Sequence, residues 1–272
     1  LLFPYFISAK YILRNATALS SMSKGYLEWI SYFSKRKLTD FDTINPLTNK
    51  PIELSIKERK SAEIFWEAFK VNKKTKNRFC FIGSLMSVFD FQQIKDAALA
   101  FHKENIECQF VICGSGGSEK DIKNMFKDLP NVCFPGWIDS SKIPYLCECS
   151  SAALIPYKNI DNYIYNLPNK VIDALSYGLP IVTTLSGELE RLICSNKIGF
   201  SCKGNGEMTF YQALKILLFD IEIRNDMANN SLNLYKSKFS YDAVYNKLVD
   251  TIESLAHSNM KKSSISKKSI EG

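Results

Sequence analysis

The 272-residue sequence lacks several features that would assign it to a class of protein at once. No apolar run approaches the roughly 18–20 residues of a membrane-spanning helix. Neither a G-x-G-x-x-G dinucleotide fingerprint nor a Walker loop ending in Gly-Lys-Ser/Thr occurs. The chain has only two histidines, and its eight cysteines form no Cys-x-x-Cys pair. These absences argue against a membrane-spanning protein, a Rossmann oxidoreductase and a zinc-binding protein.

The cysteines and the opening segment bear on the cellular setting. The cysteines are scattered through apolar stretches, so we expect reduced, buried thiols in a cytosolic protein. The opening LLFPYFISAKYILRN has neither a basic leading segment nor a small-residue cleavage site, and we expect no signal peptide. Because the sequence does not begin with Met, we expect a fragment whose upstream part is missing.

The positive charge is modest overall but unevenly placed. The net charge is +7 at pH 7, and residues 70–78 carry five positive charges without an acidic residue. Residues 257–272 carry four lysines against one glutamate. Such runs are typical of solvated linkers and disordered tails, or alternatively of segments attracted to an anionic membrane surface. Aromatic residues do not alternate with the basic ones, so we expect no nucleic-acid partner.

Short apolar segments alternate with helical patterns from residue 78 onward. The predicted strands are 79–83, 108–114, 132–134, 151–156 and 180–184. Continuously apolar strands separated by helices predict an α/β fold with a Rossmann-like doubly wound parallel sheet, followed by C-terminal helices beyond residue 200. Ligands bind such sheets at the carboxyl ends of the strands, where Gly83, Gly114 and Pro156 fall.

The segment NLPNKVIDALSYGLPIVTT (166–184) places a lysine where a helix begins. A helix starting near Pro168 would carry Lys170 in its first turn, where the helix dipole disfavours a cation. Free backbone N–H groups and the Lys170 ammonium would then face one volume, as in a phosphate site, and Asp173 one turn later would suit a ribose or sugar hydroxyl. The alternative is a surface Lys–Asp pair of little consequence. This segment alone does not decide between them.

Two other loops favour the ligand site. The loops GSLMSVFD (83–90) and GSGGSEKD (114–121) each follow a predicted strand and present small or polar residues. Each loop alone is a weak indication, because glycine after a strand is common turn chemistry. Since all three loops lie at carboxyl ends of strands, together they predict one cleft for a phosphate-bearing ligand.

The order of these segments resembles a known family. They are similar to the C-terminal, nucleotide-sugar-binding domain of the group 1 (family 4) glycosyltransferases of GT-B fold, in FIGSL (81–85), VICGSG (111–116), NVCFPGWIDSSKIPYLCECSSAALIPY (131–157) and LPNKVIDALSYGLPIVTT (167–184). Residues 15–37, NATALSSMSKGYLEWISYFSKRK, also resemble the end of that family's N-terminal domain. The likeness covers roughly residues 15–250. It implies transfer of a sugar from a nucleoside-diphosphate donor, with retention of configuration.

The resemblance implies roles for individual positions. Lys170 would be the catalytic cation that contacts the donor diphosphate, and Asp173 would take the place of a ribose-binding glutamate. The other implied donor-binding positions are Gly83 and Ser84 beside the phosphates, Gly114 and Ser115 in the nucleotide cleft, Trp137 and Ile138 at the base, Tyr165 in the sugar-facing loop 161–166, and Asn169 next to Lys170.

Two positions depart from the family pattern. Members often carry a glutamate eight positions before the ribose-binding one, and here Tyr165 occupies that position. Many members place an Arg and a Lys after the first strand, where this sequence has Ser84 and uncharged neighbours. Lys170 would therefore be the main cation in the phosphate site.

The string Asp40-Phe41-Asp42 is a D-x-D pattern that can hold a divalent ion. It lies in a turn-rich stretch outside the proposed cleft, so we interpret it as loop structure and expect neither a metal nor another cofactor. His102 falls on an amphipathic helix and His257 in the tail, so neither is a good candidate for a general base.

We predict four segments along the chain. Residues 1–55 would be the truncated end of an N-terminal acceptor domain, 56–77 a linker, 78–256 the nucleotide-sugar-binding domain, and 257–272 a disordered basic tail. The main hypothesis is a cytoplasmic glycosyltransferase of cell-surface polysaccharide biosynthesis. Its acceptor would be a glycan or a lipid-linked molecule, with peripheral membrane contact as an option. The alternatives are a nucleotide-sugar-binding module or inactive fragment without catalysis, and a relative of the nucleotide-sugar epimerases.

Overall fold

The computed structural model describes residues 2–74, 77–202 and 208–268, with side chains through residue 258. The strands are β1 Ser20–Ser21, β2 Thr43–Ile44, β3 Arg78–Ile82, β4 Gln109–Cys113, β5 Val132–Gly136, β6 Ala152–Ile155, β7 Ile181–Thr183 and β8 Gly199–Ser201. The helices are α1 Phe3–Asn15, α2 Lys24–Ser34, α3 Ile56–Glu67, α4 Phe91–Lys103, α5 Glu119–Met125, α6 Ile143–Glu148, α7 Asn169–Ser176, α8 Glu188–Asn196, α9 Phe210–Phe219, α10 Ile221–Leu234 and α11 Tyr241–Lys268.

The large sheet has six parallel strands over the described residues, in the order β5-β4-β3-β6-β7-β8. The chain moves outward from β3 to β5, then returns to β6 beside β3 and moves outward in the other direction to β8. This is the strand order of a doubly wound Rossmann sheet, so the predicted α/β class is confirmed. The order reverses between β3 and β6, which is where sheets of this kind bind ligands.

Both faces of the sheet are covered, because neighbouring residues of each strand point to opposite sides. On β3, Phe79 and Phe81 face a core cluster that includes α4 and α9. Cys80 faces the other cluster, which includes α3, α6 and α7. Burial on both faces explains why the strands read as continuous apolar runs.

The N-terminal residues form a smaller unit. Strands β1 and β2 pair in parallel, with Ser20 beside Thr43, and α2 connects them. The Ser23 hydroxyl caps α2 by accepting the Tyr26 N–H at 3.2 Å. The described N-terminal residues therefore include a strand–helix–strand unit. Over the described residues, no helix has both the length and the apolar character needed to cross a bilayer.

Three regions differ from the sequence-based expectation. Residues 56–77 were expected to be a linker, but α3 buries Ala62 and Trp66 completely in the core beside α6, because those two side chains share its inner face. The stretch between β7 and residue 202 also contains α8 and the short strand β8. Residues 257–272 were expected to be disordered, yet α11 continues to Lys268, since no Gly or Pro interrupts it. The last four residues lie outside the described part. The remaining domain boundaries stay predictions.

Candidate active site

Lys170 lies in the first turn of α7, as the sequence predicted. Pro168 precedes the helix in an extended conformation, and Asn169 is the first helical residue. Val171, Ala174 and Leu175 are buried against the sheet, which fixes the rotation of the helix. This orientation directs the Lys170 side chain toward the carboxyl end of β3, at the point where the strand order reverses.

The Lys170 ammonium is surrounded by aromatic rings. Its Nζ lies 4.0 Å from the ring centre of Phe89, 4.5 Å from that of Phe81 and 5.4 Å from that of Tyr157. With the described residues it makes neither a hydrogen bond nor an ion pair within 4 Å. Burial lowers the pKa of Lys170 to about 7, and the nearby Asp173 carboxylate opposes this shift only in part. Within the described part of the chain, the amine therefore has one carboxylate nearby, Asp173, but no direct ion-pair partner.

Asp173 lies one turn further along α7 and lines the same cleft as Lys170. Burial raises the pKa of the Asp173 carboxyl, while the Lys170 charge acts in the opposite direction. The cleft encloses about 890 Å³ of empty space, part of it open to solvent. Its walls include Lys50, Ile52, Cys80, Ile82, Ser140, Ile143, Cys147, Ile155 and Tyr177.

Two glycines bring the loops after β3 and β4 into contact. Gly83 and Gly114 have φ angles of +156° and +139°, which side-chain-bearing residues rarely adopt. A Cβ on Gly83 would lie 2.5 Å from the Lys170 Nζ, and a Cβ on Gly114 would clash with the Gly83 carbonyl. The Leu85 N–H also donates to the Ser115 carbonyl at 2.9 Å. The two loops therefore converge beside the ammonium.

The other predicted site residues lie around this centre rather than within the cleft. Ser84 and Ser115 are exposed on the two converging loops, and Asn169 is exposed at the start of α7. Trp137 follows β5 and is 72% exposed, so its ring is free to meet a ligand. Ile138 is buried in the core, so its side chain anchors the loop after β5 that carries Trp137.

The predicted sugar-facing loop, residues 161–166, contacts the N-terminal unit. The Ser23 hydroxyl donates a hydrogen bond to the Tyr165 carbonyl, and the Tyr26 hydroxyl donates to the Asn162 carbonyl at 2.9 Å. A Cβ on Gly25 would lie 3.0 Å from the Cα of Tyr165, so glycine permits this close approach. Tyr165 thus joins α2 to the loop that leads into α7.

Asp42 performs the loop role that the sequence predicted. Its carboxylate accepts hydrogen bonds from Arg36 at 2.6 Å, the Leu19 N–H at 2.7 Å and the Thr39 N–H at 2.6 Å. Burial alone would raise the pKa of Asp42, but these donors outweigh burial and lower it. Within the described ranges, no group of three or more His, Cys, Asp or Glu side chains is placed to share a metal ion.

Replacing Asp42 with alanine should cost about 3–5 kcal/mol of unfolding free energy, because the buried Arg36 charge would lose its partner. Asp40→Ala removes the exposed member of the pair and should change stability by less than about 0.5 kcal/mol. Urea unfolding of both variants measures the difference. If Asp40 and Asp42 instead held a metal, both substitutions would weaken Mn²⁺ binding alike.

Sequence reasoning missed part of the site. The rings of Phe81 and Phe89 read as ordinary core residues, and nothing in their spacing singles them out. The segment that includes Lys50 and Ile52 lines the cleft from outside the predicted domain, where the Ile52 N–H donates to the Tyr177 hydroxyl at 3.4 Å. Local sequence gives no signal for a contact between residues so far apart.

Comparison with known proteins gives a family match over most of this region. Residues 63–233 match the family profile described as "Glycosyl transferases group 1". TuaH of Bacillus subtilis (strain 168), described as a candidate teichuronic acid biosynthesis glycosyltransferase, is 28% identical over 132 residues. That match covers 44% of this chain and 32% of TuaH, so the chain spans about a third of this relative.

Two solved structures share the fold over nearly the whole chain. Sucrose-phosphate synthase of Thermosynechococcus elongatus superposes with a TM-score of 0.73 at 14% identity, over 94% of this chain and 62% of its own. HepE of Anabaena, solved in complex with UDP-glucose, has a TM-score of 0.71 at 13% identity, over 91% and 66%. At such identities the likeness is one of fold, and it confirms the predicted GT-B type.

Proposed function

Because this chain belongs to the group 1 glycosyltransferases, we propose that it binds a nucleoside-diphosphate sugar and helps to transfer the sugar to a glycan or lipid-linked acceptor. The observation that carries this proposal is the Lys170 ammonium, which lies half-buried at the strand-order reversal and forms no ion pair within 4 Å with the described residues. A buried cation is costly to keep unless an anion joins it. A diphosphate beside the first turn of α7 would supply that anion.

The proposed step places negative charge next to Lys170. The bond between the anomeric carbon and the diphosphate breaks, and its electron pair leaves with the nucleoside diphosphate. The acceptor hydroxyl oxygen forms the new bond to the anomeric carbon and passes its proton to the departing diphosphate; we propose that configuration is retained. Because the charge on the leaving oxygens grows along this path, a fixed ammonium stabilises the transition state more than the ground state.

Neighbouring residues would hold the rest of the donor. Asp173 lines the cleft near Lys170 and is suited to accept hydrogen bonds from ribose hydroxyls. Gly83 and Gly114 leave room for phosphates to approach the backbone. Trp137, exposed beyond β5, would stack on the base, with Ile138 behind it. Tyr165 and Asn169 would face the sugar, and the chemistry needs no resident metal.

The cellular role follows from the same assignment. A relative described for teichuronic acid biosynthesis supports a place in cell-surface polysaccharide synthesis. We propose a cytoplasmic protein with peripheral membrane contact. The excess of positive charge, +7 overall, is compatible with an anionic lipid surface.

Calorimetric titration with a panel of UDP-, GDP- and ADP-sugars, combined with product analysis, tests the proposal. We expect one nucleotide class to bind, and the full-length gene product to form a glycoside at an equal rate with EDTA or Mg²⁺. Lys170→Met is the matched control and should bind the same nucleotide much more weakly. A panel in which no nucleotide binds contradicts the proposal.

A second candidate is a nucleotide-sugar-binding module without catalysis. Tyr165, which stands where the family often has a glutamate, has its carbonyl held by Ser23, and this favours a structural role at the sugar side. The same panel distinguishes the two functions. Binding by the full-length product without any glycoside, free sugar or epimerised sugar would favour the module.

A further inference from the structure

The Lys170 ammonium is held by three rings that come from separate segments. Phe81 belongs to β3, Phe89 precedes α4, and Tyr157 follows β6. Phe81 and Phe89 are almost completely buried, and Tyr157 is half-buried. The rings also pack on one another, with centroids 5.1 Å apart for Phe81 and Phe89 and 4.5 Å apart for Phe89 and Tyr157.

The backbone fixes the positions of these rings. The Asp90 N–H donates to the Pro156 carbonyl at 2.6 Å, and the Lys158 N–H donates to the Val88 carbonyl at 3.0 Å. These bonds join the loop after β3 to the loop after β6 on both sides of Phe89 and Tyr157. The ring faces therefore cannot drift away from the ammonium without breaking the connection between the two loops.

We propose that Phe81, Phe89 and Tyr157 are positioning residues that form an aromatic box, which holds the Lys170 ammonium against Gly83 before the donor binds. Ring faces attract a cation but accept no conventional hydrogen bond. A carboxylate in their place would satisfy the three N–H bonds of the ammonium and compete with the donor. The box instead leaves those N–H bonds free for phosphate oxygens. This functional role rests on the proposed function, whereas the box itself does not.

Other titratable groups share the cleft with the ammonium. They are Asp173 on α7, Tyr177 directly after it, Cys80 on β3, Cys147 on α6, and Lys50 before α3. Burial raises the pKa of Tyr157, within the box, to about 12, so this ring stays neutral over the range in which Lys170 titrates. The charge of the box residues therefore does not change while the Lys170 amine titrates.

Nuclear magnetic resonance of the chain labelled with ¹³C at the lysine Cε positions tests the box without any ligand. Lys170→Met assigns the signal by its disappearance. We expect the Lys170 signal to be shifted upfield, because ring faces shield nearby nuclei, and to titrate near pH 7. A signal that resembles those of exposed lysines and titrates near pH 10.5 would overturn the proposal.

Matched variants separate the box from general packing. Phe89→Leu should reduce the upfield shift and lower the titration midpoint by about 0.5–1 pH unit, since one ring face is lost. Phe91→Leu is the control, because Phe91 packs 5.0 Å from Phe81 but makes no cation–π contact with the ammonium among the described pairs. Equal changes in both variants would contradict the proposal.

Tyr157 offers a second pair in case Phe89→Leu does not fold. Tyr157→Phe keeps the ring and should preserve both the shift and the midpoint, while Tyr157→Leu should alter both. If nucleotides bind, Phe89→Leu and Tyr157→Leu should weaken UDP binding by up to about 10-fold at pH 7, and the ring-keeping variant should not. If no nucleotide binds while the spectra behave as expected, the box stands and the proposed function fails.

Discussion

Lys170→Met is expected to slow sugar transfer by about 10²–10³-fold, the loss typical when an enzyme is deprived of one preorganised donor to a developing negative charge. Steady-state kinetics of the full-length gene product measure this effect. The acceptor should not influence it, because Lys170 would contact only the donor. We expect KM for the donor to rise and kcat at saturating donor also to fall, since the ammonium would bind the diphosphate in the ground state and stabilise its growing charge further in the transition state.

The same substitution should make the folded chain more stable. The pKa of Lys170 lies at about 7 in the folded chain against 10.5 for an ordinary lysine. Below pH 7 both states hold the proton, so the full cost of burying the charge is present there. As pH rises from 7 to 10.5, only the unfolded state keeps the proton, and wild-type stability increases. Lys170→Met removes that cost and should raise the free energy of unfolding by about 1–3 kcal/mol at pH 6.

Urea unfolding at pH 6 and at pH 9 checks the stability effect. The gain from Lys170→Met should be larger at pH 6. Lys158→Met is a suitable control, because Lys158 is exposed one residue after Tyr157 and should leave both activity and stability unchanged. A lysine that served only the fold would give the opposite result, with lower stability in the methionine variant at both pH values.

The sheet could be predicted from sequence because each of its long strands is a continuous apolar run that ends in glycine or proline. Residues 79–83 and 108–114 carry that pattern, and the structure places β3 and β4 there. The strand β8, Gly199–Ser201, has only one large apolar residue, Phe200, so it lacks the apolar run that marks β7, which is equally short. The neighbouring helix α8 lies directly after the last predicted strand, residues 180–184, where the sequence pattern indicates only that the sheet ends.

The sequence at the start of helix α3 contains a local signal that predicts a helix there. Ser55 and Glu58 form a capping box, in which the Ser55 hydroxyl accepts the Glu58 N–H and the Glu58 carboxylate accepts the Ser55 N–H. That Ser-x-x-Glu spacing marks a helix start. The buried Trp66, whose indole N–H donates to the Lys142 carbonyl at 2.9 Å, depends on a partner 76 positions away and has no local signature.

The candidate site was partly accessible to the same reasoning. Lys170 and Asp173 could be predicted because helix geometry places residues three apart on one face. The box could not, since Phe81 and Phe89 differ from other core phenylalanines only in what they touch. Which residues surround a side chain is a property of the packed structure, and local patterns do not encode it.

Binding of the donor should take up a proton and weaken steeply above neutral pH. Only the ammonium form of Lys170 attracts a diphosphate, and in the free chain its pKa is about 7. The affinity for a nucleoside-diphosphate sugar should therefore fall about 10-fold per pH unit above 7, and about 30- to 100-fold between pH 7 and pH 9. A sugar nucleotide is the better probe, because the terminal phosphate of a free nucleoside diphosphate itself titrates near pH 6.

Calorimetry in buffers of different ionisation enthalpy measures the proton directly. At pH 8 we expect uptake of about one proton per donor bound, because the bound diphosphate raises the pKa of Lys170 well above that pH. At pH 6 the amine is already charged, so uptake should nearly vanish. Lys170→Arg keeps a charge that does not titrate in this range, and any residual binding should lose its pH dependence. Binding that is independent of pH in the wild-type chain would show that the diphosphate does not meet this amine.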